Sequence, residues 1–404
     1  MKNFIVLAAL CVLVSCSKND QNQANIDEPN QENELQTCNF GITQFNLSKR
    51  DALVAIGDRK PNKPPRGDAG SGTGSGTGTT TPPPPPPPSS NAAVILLDFD
   101  GQLVSGTAWN GGATINCAPA NLSSEAVGTI INRVANDYAP FNVIVTADES
   151  VFNAAASNRR MRVILTETWE WFGQAGGVAL INTFTSGSNT PCFVFTSLLN
   201  YSEKNIAEAA SHEAGHTFGL YHQAVYSGTT LTGQYNYGQG TGETGWAPIM
   251  GCGYNRNLTV WHNGPNSNGY NAYQDEVAQI SSIAGLRADD HSNSFSNATS
   301  LSGTASGYIN TSNDADFFTV NLGSSKTLSV SPASVGSSNA GANLDLVVNI
   351  YSAQGQLIST INDPAVLSVT TTLNAGQYYI SVSTASNQYA STYGMLDRYT
   401  VSLN

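Results

Sequence analysis

Charge is what this sequence has least of. Asp, Glu, Lys and Arg make up 11% of its 404 residues, under half of the quarter or so usual in globular domains. Basic residues are the scarcer kind, 17 against 29 acidic ones, for a net charge of −12. A net charge of that sign disfavours an electrostatic grip on nucleic acid or an anionic bilayer. The apolar run nearest the start, residues 4–14, falls short of the roughly 20 residues a membrane-spanning helix requires. Histidine occurs five times and methionine four times, so a cluster of either carries information. In place of charge the chain uses Gly, Ser, Thr and Asn as solubilising residues. Its 40% hydrophobic and 9% aromatic content is enough to bury a core over much of its length, which excludes disorder throughout.

The start of the chain sets the compartment. Lys2 followed by a short apolar run reads as a secretory signal. The run closes in Leu13-Val14-Ser15-Cys16, which resembles a bacterial lipobox. That resemblance implies cleavage before Cys16 and acylation of Cys16 as a lipid anchor, with the protein held to the outer membrane of a bacterial cell envelope, on its periplasmic side or at the cell surface. One acyl chain anchors only marginally, so stable attachment takes more than one. An ordinary secretory signal that contains Cys16 is the alternative. Cys38, Cys117, Cys192 and Cys252 then remain in an oxidising compartment with three possible pairings. Cys38 sits in a polar segment of disordered composition, so the bridge is expected within Cys117, Cys192 and Cys252; Cys38 is alternatively a ligand that caps a metal until removed. Residues 70–81 alternate Gly with Ser and Thr, and 82–88 are all proline, a flexible coil joined to an extended rod. These features divide the chain into a signal at 1–16, a tether at 17–91 and two folded regions, 92–290 and 291–404.

Order is expected from the apolar run at residues 94–99 onward, a buried strand. A helix capped by Ser123 or Ser124 follows, with Val127, Ile130, Ile131 and Val134 at helical spacing before Pro140. Strands are expected at 141–146, 162–165 and 176–184, a helix opened by Ser202 and Glu203, and a closing helix from Glu276 to Gly285. Strands alternating with helices argue for an α/β sheet.

Chemistry is concentrated in one segment. Three of the five histidines fall within eleven residues, in His212-Glu213-Ala214-Gly215-His216 and then His222. Histidines four apart share one helical face, so both imidazoles reach a single ion, and Glu213 leans over the water that completes the coordination. Gly219 supplies the left-handed turn that returns His222 as a third ligand. From this composition the full pattern arises by accident on the order of once in 100,000 to a million such chains. The bland alternative is a set of histidines satisfied in a helix core. Glu243, the candidate for a third ligand on a later helix, lies in a glycine-rich loop and is the poorer choice. His262 reads as a surface residue, His291 lies outside the site, and residues 255–273 shape the substrate pocket.

His212 to His222 resembles the metzincin metallopeptidase signature, and Ala247-Pro248-Ile249-Met250-Gly251 resembles the Met-turn of that clan. The resemblance implies an α+β catalytic domain with a mixed sheet and an active-site helix, one catalytic Zn2+ on His212, His216 and His222, Glu213 as general base, and Met250 as an apolar floor beneath the imidazoles. It implies that the substrate lies antiparallel to an edge strand, for which residues 176–184 are the match; Val178, Leu180 and Phe184 could equally face the core. Several metzincins carry a tyrosine ligand or oxyanion stabiliser two residues after the methionine. Here that position is Cys252, and Tyr254 is the candidate for the same work from another angle. Gln223 follows the third ligand where other members have Asp.

From about residue 292 the pattern becomes short alternating runs separated by polar turns, which reads as an all-β sandwich. Asp314-Ala315-Asp316-Phe317-Phe318 and Gly376-Gln377-Tyr378-Tyr379 resemble the bacterial pre-peptidase C-terminal domain. Ca2+ would take Asp314, Asp316 and Asp345 as oxygen ligands; solvated turns use the same residues. The expectation is a monomeric, lipid-anchored zinc endopeptidase acting on protein or peptide substrates. The alternative is a surface binding or adhesion lipoprotein with a structural or degenerate zinc site.

Overall fold

The structure, a computed structural model, describes residues 91–404 and, before them, the backbone of two short strands, β1 (Leu13–Val14) and β2 (Ile42–Thr43). Cys16, Cys38 and nearly all of the tether lie outside the described residues. The first folded region opens with β3 (Ala93–Asp98), the hairpin of β4 (Gln102–Val104) and β5 (Ile115–Cys117), α1 (Ser124–Asp137), β6 (Val143–Thr146) and α2 (Glu149–Ala154). It continues through β7 (Arg160–Thr166), β8 (Gly177–Leu180), β9 (Cys192–Phe195) and α3 (Glu203–Thr217). A second hairpin of β10 (Val225–Ser227) and β11 (Thr230–Gly233), the pair β12 (Trp246–Pro248) and β13 (Leu258–Val260), and α4 (Glu276–Ala284) complete it.

Every residue of β3 is buried, which is why it reads as a continuous apolar run: a strand covered on both faces does not alternate. It lies centrally in a mixed sheet of order β2-β1-β8-β9-β7-β3-β6. β3 runs parallel to β6 and β7, β7 parallel to β9, and β8 antiparallel to β9. The N-terminal strand β1 pairs antiparallel with the outer edge of β8, Leu13 opposite Leu180 and Val14 opposite Ala179. α1 begins at Ser123, whose side chain accepts from the Ala126 N–H, and α3 begins at Ser202, whose side chain accepts from the Asn205 N–H. Both caps satisfy amides that have no partner inside the helix.

The strand expected over 176–184 ends at Leu180. Asn182 takes a left-handed backbone, φ 62, and the segment turns away from the sheet. Its N–H groups serve the end of α3 instead, Asn182 donating to the His216 carbonyl and Phe184 to the Thr217 carbonyl, each at 2.9 Å. Orphan carbonyls at a buried helix end need donors, and that need outweighs four more residues of strand, 181–184.

From Thr299 the chain is a β-sandwich, as its alternation implies. Its strands are β14 (Thr299–Ser300), β15 (Thr304–Ile309), β16 (Ala315–Leu322), β17 (Lys326–Pro332), β18 (Leu346–Ser352), β19 (Leu357–Ile361), β20 (Val369–Leu373), β21 (Gly376–Thr384) and β22 (Asp397–Leu403). They form a five-stranded sheet, β14-β16-β21-β18-β19, and a four-stranded sheet, β15-β22-β17-β20. Phe318, Val320, Leu328, Val330, Val348, Ile350, Ile380 and Val401 fill the space between the sheets.

The cysteine expectation is corrected. Cys117 and Cys192 are buried free thiols, while Cys252 is disulfide-bonded, so no bridge forms within that trio. Cys192 lies in β9, which packs against α3, and burial pushes its thiol well up, which keeps it inert. Alkylation after denaturation without reductant should therefore label Cys117 and Cys192 and leave Cys252 unlabelled; peptide mass spectrometry showing label on Cys252 would contradict this arrangement.

Candidate active site

Helix α3 is buried continuously from Asn205 to Thr217. Its alanines at 207, 209, 210 and 214 let α1 and the sheet approach closely, and that burial fixes the site. His212 and His216, one turn apart, project from one face. Gly219, at φ 94, then reverses the chain; a Cβ there would also stand 2.6 Å from Gln279 Nε2. His222 comes back to the same point. The three imidazoles each offer a ligand atom, all within 4.8 Å of one another, and Nε2 of His216 faces Nε2 of His222 at 3.1 Å.

Two of the rings are oriented by backbone. His212 Nδ1–H donates to the Ile249 carbonyl at 2.9 Å and His216 Nδ1–H to the Leu220 carbonyl at 2.7 Å. This tautomer leaves Nε2 with its lone pair directed into the site. Burial, reinforced by the neighbouring imidazoles, holds His212 and His222 well below the ordinary histidine range, and burial lowers His216 to about 4. All three are neutral bases at physiological pH, the donor set that suits zinc.

Glu213 is 1% exposed, and neither carboxylate oxygen has a hydrogen-bond partner among the described residues. Burial pushes its carboxyl well above the usual range. A solitary buried carboxylate is costly, and a cation held beside it by the three imidazoles would answer that cost. The backbone makes room for it: a Cβ at Gly177 of β8 would lie 2.7 Å from both Cγ and Oε1 of Glu213. Below the site Met250 is fully buried. A Cβ at Gly215 would meet its Sδ at 2.6 Å, so the methionine sulfur packs against α3 at Gly215, the residue before His216.

Tyr235 was not foreseen from sequence. Its hydroxyl lies 3.5 Å from His222 Nε2, and its ring stands 4.4 Å from that imidazole. The one linear signal is its place between the third histidine and Met250. Tyr254 is buried in the core cluster that also holds Met250.

Gln223 is a joint. Its N–H donates to the Met250 carbonyl and its carbonyl accepts from Asn236 N–H, both at 2.8 Å, which ties the residue after His222 to Met250 and to the segment beside Tyr235. Its Nε2 donates to Glu276 at 2.8 Å. Burial raises Glu276 to about 8, against the lowering effect of Gln223, the His262 N–H and Gln274. His262 is half-buried against Trp246 rather than at the surface, and burial lowers it to about 4. His291, in the sandwich, bonds Thr299 Oγ1 and the Ser306 carbonyl. Glu243 bonds the sandwich and not the metal site: its Oε2 accepts from Asn339 Nδ2 and the Leu367 N–H.

Of the acidic candidates, Asp316 comes together with Asp289 and Asp290, which sequence reading passed over; their oxygens lie within 4.8 Å of one another. Asp314 is close enough to raise Asp316 further. Asp345 belongs to a different neighbourhood, where Asn387 Nδ2 donates to it at 3.0 Å.

Residues 125–223, a segment running from α1 to Gln223, match the family model described as metallo-peptidase family M12B, reprolysin-like. That agrees with the resemblance of the chain to a metzincin-like peptidase. No curated protein matches. Among solved structures, the pre-peptidase C-terminal domain of a collagenase from Bacillus anthracis aligns at 16% identity and TM-score 0.19, over 29% of this chain and 98% of that one. A periplasmic inhibitor of g-type lysozyme from Aeromonas hydrophila aligns at 20% identity and TM-score 0.19, over 26% of this chain and 96% of that one. At these scores neither likeness bears on function, and the sandwich stands on its own strand pairing.

The Glu276 shift has a measurable consequence. The folded chain holds this proton up to about pH 8, whereas the unfolded chain releases it near the ordinary value of 4.5. Between those values the unfolded state binds fewer protons, so this group makes stability fall as pH rises. Glu276→Gln should shrink the difference in Tm between pH 5 and pH 8; an unaltered difference would count against a buried protonated Glu276.

Proposed function

We propose that the chain is a zinc-dependent endopeptidase that hydrolyses extracellular proteins, with Glu213 as its general base and a lipid on Cys16 holding it at a bacterial envelope. The observation that carries this reading is the convergence of His212, His216 and His222 beside a buried carboxylate that has no hydrogen-bond partner among the described residues. A purely structural zinc site needs no such base and fills its fourth position with another protein ligand. The reprolysin-like match over these residues supports a metallopeptidase in general.

Zinc, when bound by the three imidazoles, supplies Lewis acidity toward a carbonyl and toward water. Glu213 accepts the proton of the attacking water at its carboxylate and returns it to the departing nitrogen. Its desolvated environment, by favouring the protonated form, makes it the stronger base for the first step. The Tyr235 hydroxyl, beside His222, donates to the oxygen on which charge develops. Substrate adds as a strand along β8. The pairing of β1 with that same edge supports the capacity for antiparallel addition there, and side-chain pockets would then set preference.

In the C-terminal region we propose calcium at Asp289, Asp290 and Asp316. Asp316 is completely buried, its Oδ1 has no partner among the described residues, and burial with its acidic neighbours pushes it up to about 9. A divalent cation would let those carboxylates ionise together. Addition of calcium at about millimolar concentration should raise Tm in the natural protein and leave Asp316→Asn unmoved; equal behaviour of the two would remove calcium from the account.

Glu213→Gln should lower kcat for casein cleavage by roughly 10² to 10⁴ while zinc content, measured by metal analysis, stays at one per chain. Stoichiometric zinc with no chelator-sensitive cleavage by the natural protein would instead make it a binding lipoprotein.

A further inference from the structure

The C-terminal sandwich meets the catalytic region through buried polar bonds, and one chain of them ends beside the first metal ligand. Asn343, 2% exposed, precedes β18 and donates from Nδ2 to Asp137 Oδ1 at 2.7 Å. Asp137 is the last residue of α1, and its Oδ2 accepts from the Ser211 hydroxyl. Ser211 immediately precedes His212. The Tyr138 hydroxyl donates to the Ser211 carbonyl at 3.0 Å, and Trp261 Nε1 donates to the Asp137 carbonyl at 2.6 Å. Flanking this line, Asn136 Nδ2 donates to the Gly341 carbonyl and Arg398 to Asn136 Oδ1. Burial pushes the Asp137 carboxyl well up, with Glu208 adding to the effect, so its donors are what hold it in place.

A second contact fixes the Met-turn side. Trp246, Leu258 and Val260 of β12 and β13 share one apolar cluster with Ala342, Leu367 and Met395 of the sandwich. Ile249, whose carbonyl orients His212, donates its own N–H to the Val260 carbonyl at 2.9 Å. At Gly394 a Cβ would stand 1.8 Å from the Trp261 carbonyl oxygen, so the two backbones touch without room for a side chain. Glu243 closes the rim through Asn339 and Leu367.

We propose that the sandwich is part of the framework of the metal site, with Asn343 as a positioning residue that acts through Asp137 and Ser211 to fix the His212 turn of α3. The inference rests on the metal reading for its functional consequence, but the clamp itself exists without metal. Removing the Asn343 amide leaves a buried carboxylate short of one donor, and the least costly relief is for Asp137 and Ser211 to shift, taking the adjoining turn of α3 with them.

The test uses the full chain. In Asn343→Leu, hydrogen exchange followed by mass spectrometry should show faster exchange in peptides covering residues 203–217, while peptides from β16 and β21 exchange as before. Zinc release to a chromophoric chelator should accelerate about tenfold, the scale on which outer partners of metal ligands act, and kcat should fall with KM little changed. The double variant Asp137→Asn with Asn343→Asp keeps one donor and one acceptor facing each other and still offers Ser211 an acceptor, so it should restore slow exchange and slow zinc release. Glu243→Ala, which removes the acceptor of Asn339 and Leu367 and so loosens the same interface away from α3, should change neither. Natural exchange and zinc release in Asn343→Leu would overturn the proposal, as would an equal effect of Glu243→Ala. If the natural protein binds zinc without cleaving casein, the peptidase reading fails while helix exchange still decides the clamp. Should Asn343→Leu not fold, the double variant decides by itself: failure to regain the natural exchange rate of α3 overturns the proposal.

Discussion

Desolvation of one helix governs the arrangement. Helix α3 is buried on every side although Glu208, Ser211, His212, Glu213, His216 and Thr217 all project from it. Polar groups removed from water must be paired, and the surrounding structure supplies the pairs. Lys204 and Thr259 satisfy Glu208, Asp137 satisfies Ser211, the Ile249 and Leu220 carbonyls take His212 and His216, and Thr217 bonds back to Ala214. Glu213 differs: neither of its carboxylate oxygens has a hydrogen-bond partner among the described residues.

Several glycines follow from the same constraint. Gly177 leaves space for the Glu213 carboxylate, Gly215 for the Met250 sulfur, and Gly394 for the Trp261 carbonyl. Each replaces side-chain volume with the approach of a neighbouring group, so each is a packing requirement before it is a conformational one. In Gly219 the two coincide, because the positive φ and the nearby Gln279 both exclude a side chain.

The sandwich supplies part of the pairing. Its polar loops face the end of α1 and the Met-turn strands with Asn343, Asn339 and the Leu367 amide. A surface so poor in charge docks by amides and apolar contact, and such contacts need close geometry to be worth forming. The low charge content and the firm seating of the two regions are in that sense one property.

Sequence by itself determined which rings converge, His212, His216 and His222, since histidine spacing on a 3.6-residue helix and a glycine turn fix their approach. It also determined the sandwich, because alternation over short runs admits little else, and the opening of α3 at Ser202; for α1 it left Ser123 and Ser124 open, and the structure chose Ser123. Short elements without a period, α2 and the hairpins β4–β5 and β10–β11, left no such trace. Tertiary structure alone decided the end of β8, the free state of Cys117 and Cys192, the approach of Tyr235 to His222, the union of Asp316 with Asp289 and Asp290, and the bond from Asn343 to Asp137. The physical reason is common to them. Each depends on which polar or bulky group arrives from a distant part of the chain, and the local pattern of a sequence records only what its own neighbours require.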